Sequence, residues 1–365
     1  MDNHQGLEAG ANTDAMTNKP RLWMRHEVRR TERRAPIVPA DARLLIEAGI
    51  AVTVEDSPQR LFPISDYASA GCRITEPGSW VGAPGDEYII GLKELPDVPA
   101  ALIHRHVFFG HVYKGQGGAR QLLHRFAAGG GTLLDLEYLA DSRGHRLVAF
   151  GYWAGFAGAA LAVLHHSGRR DSPLQPLSKE SLDQALDQTG DAASPRTLVI
   201  GAFGRCGSGA RDALAAAGIT PTGWGLEETR HLDRAALLQH DILINAVHTT
   251  EPESPFLTQM DLDDPTRRLA VVCDVTCDVT SDCNVLPIYD STTSWRAPVR
   301  RLRHGPRPLD IIAIDNLPSL LPREASVAFS ADLLPHLKSL GSSAPPWQRC
   351  LRTFHAACDC VGVGT

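Results

Sequence analysis

Lysine is scarce in this chain. It stands only at Lys19, Lys93, Lys114, Lys179 and Lys338, and arginine supplies nearly all the remaining positive charge. Arginine keeps its proton whatever its surroundings, whereas a lysine can be tuned by them. Each lysine is therefore a candidate for proton chemistry, with a solvated surface cation as the alternative. A basic surplus is also missing: 36 Lys+Arg face 42 Asp+Glu, for a net charge of −6. That excludes the broad positive field by which proteins hold nucleic acid or an anionic membrane. No apolar run reaches the ~20 residues of a membrane span. The N-terminus lacks the cationic start and apolar core of a secretory signal. None of the eight cysteines forms a C-x-x-C pair. Cys273, Cys277 and Cys283 admit a metal reading, but the paired ligand spacing of a zinc site is missing. Buried or loop thiols in a reducing cytoplasm are the expectation, with no metal.

What is present is an ordinary globular chain of 365 residues, 43% hydrophobic and 21% charged, long enough for roughly two domains. Its organising stretch is Thr197 to Gly218. Leu198, Val199 and Ile200 suit a strand buried on both faces. Glycines follow at Gly201, Gly204, Gly207 and Gly209. Ala210, Ala213, Leu214 and Ala217 then mark one face of a helix that stops at Gly218. Strand, glycine turn and helix in that order form the context of a dinucleotide site, because the helix N-terminus offers unpaired N–H groups to a pyrophosphate. A glycine-rich turn in any α/β protein is the competing reading.

Residues 1–20 are polar and aperiodic, as in a mobile tail. From Leu22 onward, short apolar runs alternate with helical patterns. Strands are expected at 22–24, 51–54, 88–90, 132–134 and from Ala101, and helices at 40–48 and 121–128. The pattern predicts a parallel sheet covered on both faces. Residues 151–166 are apolar almost all round, as in a helix buried between lobes, and 167–195 form a polar connector carrying a helix near 181–188. A second α/β lobe follows, with apolar runs at 241–247, 269–272 and 310–314. Helices over 329–340 and 347–357 are expected to return to the first lobe. The predicted fold is therefore α/β, with two Rossmann-like lobes of parallel sheets and a cleft between them. The first lobe, 21–150 plus 320–365, would hold the substrate, and the second, 151–319, the dinucleotide.

Ligands of such folds bind beyond the carboxyl ends of the strands. Two clusters meet that condition. Lys93 and Glu94 follow the strand at 88–90. His111 and Lys114 follow the one from Ala101. Groups of this kind, with pKa values driven apart, suit acid/base work near neutrality; a surface ion pair and a hydrogen-bonded histidine are the bland alternative. Of His104 and His106, one is expected to be structural. His165 and His166 suit a helix C-terminus and receive no role.

The blocks GLKELP, HRHVFFGHVYK, GTLLDLEYL, FGYWAGFAGAAL, IGAFGRCGSGA and IDNLPSLLPREAS together resemble the NAD-dependent, lysine-forming saccharopine dehydrogenases of fungi, which stand with the alanine dehydrogenase and transhydrogenase group. The resemblance runs from about Leu22 to the C-terminal helices. It implies a reversible oxidative deamination, in which NAD accepts hydride from saccharopine and the resulting imine is hydrolysed to lysine and 2-oxoglutarate. It implies Lys93 as the base for the secondary amine, His111 for the water and carbinolamine steps, and Glu94 as a modulator of Lys93. Arg34, Lys114, Glu137, Arg146 and Phe150 match positions that line the family's substrate pocket. Fixed cations suit a substrate with several carboxylates. Gly201, Gly204, Arg205, Cys206, Gly207, Ser208 and Asp315 are the implied cofactor contacts.

Three departures from the family bear on these expectations. Gly225 stands where the family has the aspartate that holds the adenosine ribose, so Glu227 or Glu228 would take that contact, or the preference would shift to NADP with Arg230 as partner. Two adjacent glutamates disfavour a phosphate, and NAD is expected. Cys206 lacks its family partner, because Ala246 occupies that position. Asp315-Asn316 replaces an Asp-His pair. Two other functions remain open on the sequence: an imine reductase joining a different amine and 2-oxo acid, and a cofactor-binding regulator without catalysis.

Overall fold

The computed structural model describes residues 19–113, 117–169, 172–189, 194–249, 251–279 and 281–362. Most of the expected N-terminal tail and all of Lys114 lie outside the described residues. The first sheet is built from β1 (Arg21–Met24), β2 (Ala51–Glu55), β3 (Arg73–Thr75), β4 (Glu87–Ile90), β5 (Arg105–Phe108) and β6 (Thr132–Asp135). Its strand order is β3-β2-β1-β4-β5-β6 and every pairing is parallel. Helices α1 (Pro39–Glu47), α2 (Ile64–Ser69) and α3 (Ala119–Gly129) fill the crossovers. Apart from the exposed edge strand β3, the strands are largely buried on both faces, as a parallel sheet covered on both sides requires.

Helix α4 (Gly151–His166) leads out of this lobe, and α5 (Lys179–Asp187) follows it. The second sheet comprises β7 (Thr197–Ile200), β8 (Thr222–Trp224), β9 (Ile242–Asn245), β10 (Val271–Asp274), β11 (Arg300–Arg303) and β12 (Leu309–Ile312). Its order is β11-β12-β10-β9-β7-β8. Helix α6 (Arg205–Ala216) joins β7 to β8, and the short helices α7 (Leu226–Arg230) and α8 (Arg234–Leu238) join β8 to β9. Five strands are parallel, whereas β11 runs antiparallel to β12 as an edge hairpin. The fold class is thus the expected one, with this single antiparallel edge. The sequence RRLR of β11 carries arginines at three of its four positions, a composition that hides an edge strand from pattern reading.

Helices α9 (Pro322–Lys338) and α10 (Pro345–Cys360) close the chain. Phe329, Leu333, Leu337 and Trp347 join the core around Leu22, Met24 and Ile90. Phe354 and Cys358 join the opposite face around Phe126 and Leu133. Both C-terminal helices therefore pack against the first sheet. Helix α9 begins at Pro322, seven residues before the expected Phe329, because proline at the first helical position loses no hydrogen bond. The fifth strand begins at Arg105, not Ala101, and both His104 and His106 are buried beside Trp80.

Helix α4 belongs to the second core, where Phe156, Ala157 and Ala160 meet Val199 and Val271. It crosses α6 at backbone contact. A Cβ on Gly155 would stand 1.8 Å from Cys206 O, and one on Gly209 would stand 1.9 Å from Tyr152 O. Two of the glycines in the Gly201–Gly209 run thus lie inside α6, and Gly209 serves the helix crossing. Among the described residues no helix is long and apolar enough to cross a membrane.

Candidate active site

The carboxyl ends of β1, β4, β5 and β6 meet the second lobe around a cleft of about 240 Å³, lined by Arg34, Lys93, His111, Glu137, Arg146, Phe150, Asp315 and Asn316 among others. Of the five lysines, only Lys93 lies here among the described residues. Lys19 donates to Ala48 O, Lys179 pairs with Asp183 at 2.5 Å, and Lys338 is exposed.

Lys93 sits on the loop that follows β4, and that loop is held from below. Buried Glu27 accepts from Leu92 N–H at 2.7 Å and from Lys93 N–H at 3.0 Å. Arg25, 1% exposed, pairs with Glu27 and donates to the carbonyl of Lys93. The Lys93 ammonium is half-buried. Burial lowers its pKa, and the Arg34 and Arg29 charges lower it further, against Glu32 and Asp315. Both effects disfavour a second positive charge in the cleft.

Arg34 is itself saturated on one side. Glu32 takes its Nε at 2.8 Å and an Nη2 proton at 2.6 Å, Asn316 Oδ1 takes another at 2.8 Å, and the guanidinium lies 4.1 Å above the Phe150 ring. Phe150 stacks in turn on Phe329 at 4.3 Å. The carboxylate nearest Lys93 in effect is Glu32, whose pKa is lowered by the Arg34 pair against its own burial. Glu94 instead turns outward, where Arg29 grips it through two N–H groups at 3.0 and 3.2 Å. The same Arg29 reaches Asp315 of the second lobe at 3.8 Å.

His111 has φ +52°, a left-handed conformation uncommon for a residue with a side chain. Its ring is more than half exposed, lies beside Phe109, and has Nδ1 3.6 Å from Glu137. The loop geometry traces to Asp135, the last residue of β6. This buried carboxyl accepts from Gly110 N–H at 3.1 Å and from Glu137 N–H at 2.9 Å. Burial pushes its pKa up to about 6, and the Glu137 charge adds to the rise. Arg146 lies opposite, and its carbonyl accepts from Arg205 of the second lobe at 3.3 Å.

The glycine turn borders this cleft. Gly151, a lining residue, lies against the start of α6: a Cβ there would be 3.9 Å from Cys206 N. Gly201 has φ +78°, and a Cβ on Gly207 would overlap Gly201 O at 2.1 Å. The first bond into the helix runs from Ser208 N–H to Gly204 O at 2.9 Å. The N–H groups of Arg205, Cys206 and Gly207 thus precede the helical ladder and point out of its end. A tight turn under an open helix N-terminus fits a dinucleotide pyrophosphate. Burial pushes the Cys206 thiol up to about 12. Cys273 is buried in β10, and Cys277 Sγ donates to Asp274 O.

Beyond β8 lies Gly225, where the sequence led us to expect a ribose contact. A Cβ on Gly225 would press on the Phe203 ring at 3.0 Å. Gly225 N–H donates to Glu228 at 2.7 Å, while exposed Glu227 and Arg230 pair at 3.6 Å.

The sequence analysis gave no role to Glu27, Glu32, Asp135 or Asp274. Asp274 closes β10 and accepts from Asn245 Nδ2 at 3.0 Å and Tyr289 OH at 2.7 Å. An acid directly after a buried apolar run was the available signal for both aspartates, since a carboxylate there can gather the N–H groups of adjoining loops.

Residues 23–157 match the family model described as "Alanine dehydrogenase/PNT, N-terminal domain". The chain is 43% identical over 354 residues to the saccharopine dehydrogenase [NAD(+), L-lysine-forming] of Neurospora crassa, covering 91% of this chain and 95% of that one. It is 40% identical over 359 residues to the enzyme of the same name from Schizosaccharomyces pombe, covering 92% and 97%. Among solved structures it is similar to an L-alanine dehydrogenase, with TM-score 0.65 at 16% identity over 92% of this chain and 93% of the other. That likeness is one of fold. With near-complete coverage at such identity, the chain belongs to the family of NAD(+)-dependent, L-lysine-forming saccharopine dehydrogenases.

Proposed function

We propose that this oxidoreductase takes saccharopine to lysine and 2-oxoglutarate with NAD+, reversibly, in the cleft around Lys93. The observation that carries the reading is the placement of Lys93 and His111 in one cleft with Arg34 and Arg146, beside the open end of α6. NAD+ supplies the hydride acceptor. Lys93, with its pKa lowered by burial and by two arginines, takes the proton of the secondary amine. The stacked Phe150–Phe329 pair gives that amine an apolar wall. His111, backed by Glu137, handles protons during water addition and collapse of the carbinolamine. Arg34, Arg146 and Phe150, together with Lys114, orient the substrate. Glu94 acts on Lys93 through Arg29, which it neutralises.

Residues 21–150 and 320–365 carry the substrate side of this division, and 151–319 the cofactor side. Gly201, Gly204, Arg205, Cys206, Gly207 and Ser208 hold the pyrophosphate, with Asp315 toward the cleft. NAD is favoured over NADP because Glu228 holds its carboxylate against Gly225, where a 2′-phosphate would meet it. All eight cysteines are free thiols, which supports a reducing compartment such as the cytoplasm. Mixing the purified chain with saccharopine and NAD+ should generate NADH absorbance. Absence of turnover in that direction and with lysine, 2-oxoglutarate and NADH would reject the assignment.

A further inference from the structure

Asn316 stands where the chain leaves the second sheet for α9 and is 5% exposed. Its Oδ1 accepts from Arg34 Nη2 at 2.8 Å. A guanidinium offers donors only, so this bond sets the orientation of the amide: oxygen toward Arg34, nitrogen away. That nitrogen, Nδ2, is buried and has no partner among the described residues. The rest of the residue is tied down. Its carbonyl accepts from Ser319 N–H at 3.1 Å, and Arg34 is clamped by Glu32, which also faces Ser319 Oγ at 3.4 Å. A buried donor left unpaired is costly, and such donors in native proteins normally find a ligand, water or neighbour.

The space that Asn316 shares is lined by Arg34, Lys93, His111 and Arg146 and also by the carboxylates Glu137 and Asp315, and no residue of the Gly201–Gly209 turn lines it. Glu137 lies beside His111 at 3.6 Å and Asp315 beside Arg29 at 3.8 Å, so the two acids face cations of their own and the basic groups can meet a substrate carboxylate. The Arg34 charge is largely spent on Glu32, so an incoming carboxylate needs a further donor. An amide supplies one without adding charge beside Lys93. We propose that Asn316 donates its free side-chain N–H to a carboxylate oxygen of the substrate, with Arg34 as the positioning residue that turns the amide. The proposal rests on reading the cleft as a dehydrogenase site for a carboxylate-bearing amine.

The test uses the intact chain loaded with NADH and titrated with 2-oxoglutarate, read by nucleotide fluorescence, with no amine present and therefore no turnover. N316D keeps an oxygen for Arg34 but replaces the donor with a second acceptor; N316A removes both. Affinity for 2-oxoglutarate should fall at least about tenfold in each, as expected for loss of a hydrogen bond to a charged group. KM for 2-oxoglutarate in the reductive direction should rise in step, with NADH affinity unchanged. Unchanged 2-oxoglutarate affinity in N316D and N316A overturns the proposal. So does a loss that falls on NADH instead, or a wild-type complex that binds no 2-oxoglutarate. Failure of the wild type to turn over saccharopine rejects the function reading alone, because the titration needs no catalysis.

Discussion

Asp135 accepts the N–H of Gly110 at 3.1 Å, and so governs the backbone of the residue next to His111. Its other oxygen holds Glu137 N–H at 2.9 Å. One buried carboxyl thus sets the relative position of the candidate histidine and the acid behind it. In D135N only one of the two oxygens survives, and the amide nitrogen faces a backbone N–H. Stability should fall by about 1–3 kcal/mol, the cost of an unmet buried donor. Turnover should fall more than NADH binding, since the glycine turn proposed to hold the cofactor lies on the other sheet. Urea unfolding and steady-state kinetics on the same preparation check both. Equal losses in turnover and cofactor affinity would refute the positioning argument.

Lys93→Met should abolish hydride transfer while leaving NADH binding intact, as nucleotide fluorescence will show. Arg29→Gln offers a subtler check. The Arg29 charge lowers the Lys93 pKa, so its removal should move the Lys93 limb of the pH–rate profile for saccharopine oxidation toward higher pH. A limb that stays in place or moves toward lower pH would mean that Lys93 does not set it.

Gly209→Ala should destabilise the second lobe by about 1–3 kcal/mol, the usual cost of overpacking, because its Cβ would stand 1.9 Å from the Tyr152 carbonyl. Thermal unfolding reads the loss. Gly82→Ala is the contrasting variant: its Cβ meets nothing within 4 Å and its φ lies outside the left-handed range. Equal effects at the two sites would refute the crossing argument.

His106 is fully buried in β5, and neither ring nitrogen has a partner among the described residues. Burial holds its pKa well below the usual range, and Arg25, His104 and Arg125 push the same way. The unfolded chain therefore binds an extra proton once pH drops below ~6.5. The stability that depends on a neutral His106 is present above that value and lost below it, by up to about 1.4 kcal/mol per pH unit. His106→Leu should remove this slope while keeping stability at neutral pH within about 1.5 kcal/mol. Urea midpoints of both proteins across the acid range supply the comparison.

Glu228→Ala should narrow the preference for NAD over NADP. Its carboxylate accepts from Gly225 N–H at 2.7 Å, at the turn proposed above to receive the adenosine ribose. Dissociation constants for the two reduced nucleotides decide it, and an unchanged ratio would move the discrimination elsewhere.

Sequence alone determined the α/β class, the strand–turn–helix around Gly201, and the candidacy of Lys93 and His111. Each follows from local periodicity or from which residue type ends a strand, and neither needs distant partners. Tertiary structure decided which charges those residues meet. Glu94 adjoins Lys93 in the chain, yet its carboxylate goes to Arg29, and the carboxylates that most raise the Lys93 pKa are Glu32 and, after it, Asp315. Gly209 reads as part of a phosphate turn, yet its bareness serves the crossing of α4 over α6. Asn316 reads as a lost histidine, yet Arg34, 282 positions away, aims its amide. Side-chain partnership is settled by packing between segments far apart in the chain, and no spacing along it encodes that distance.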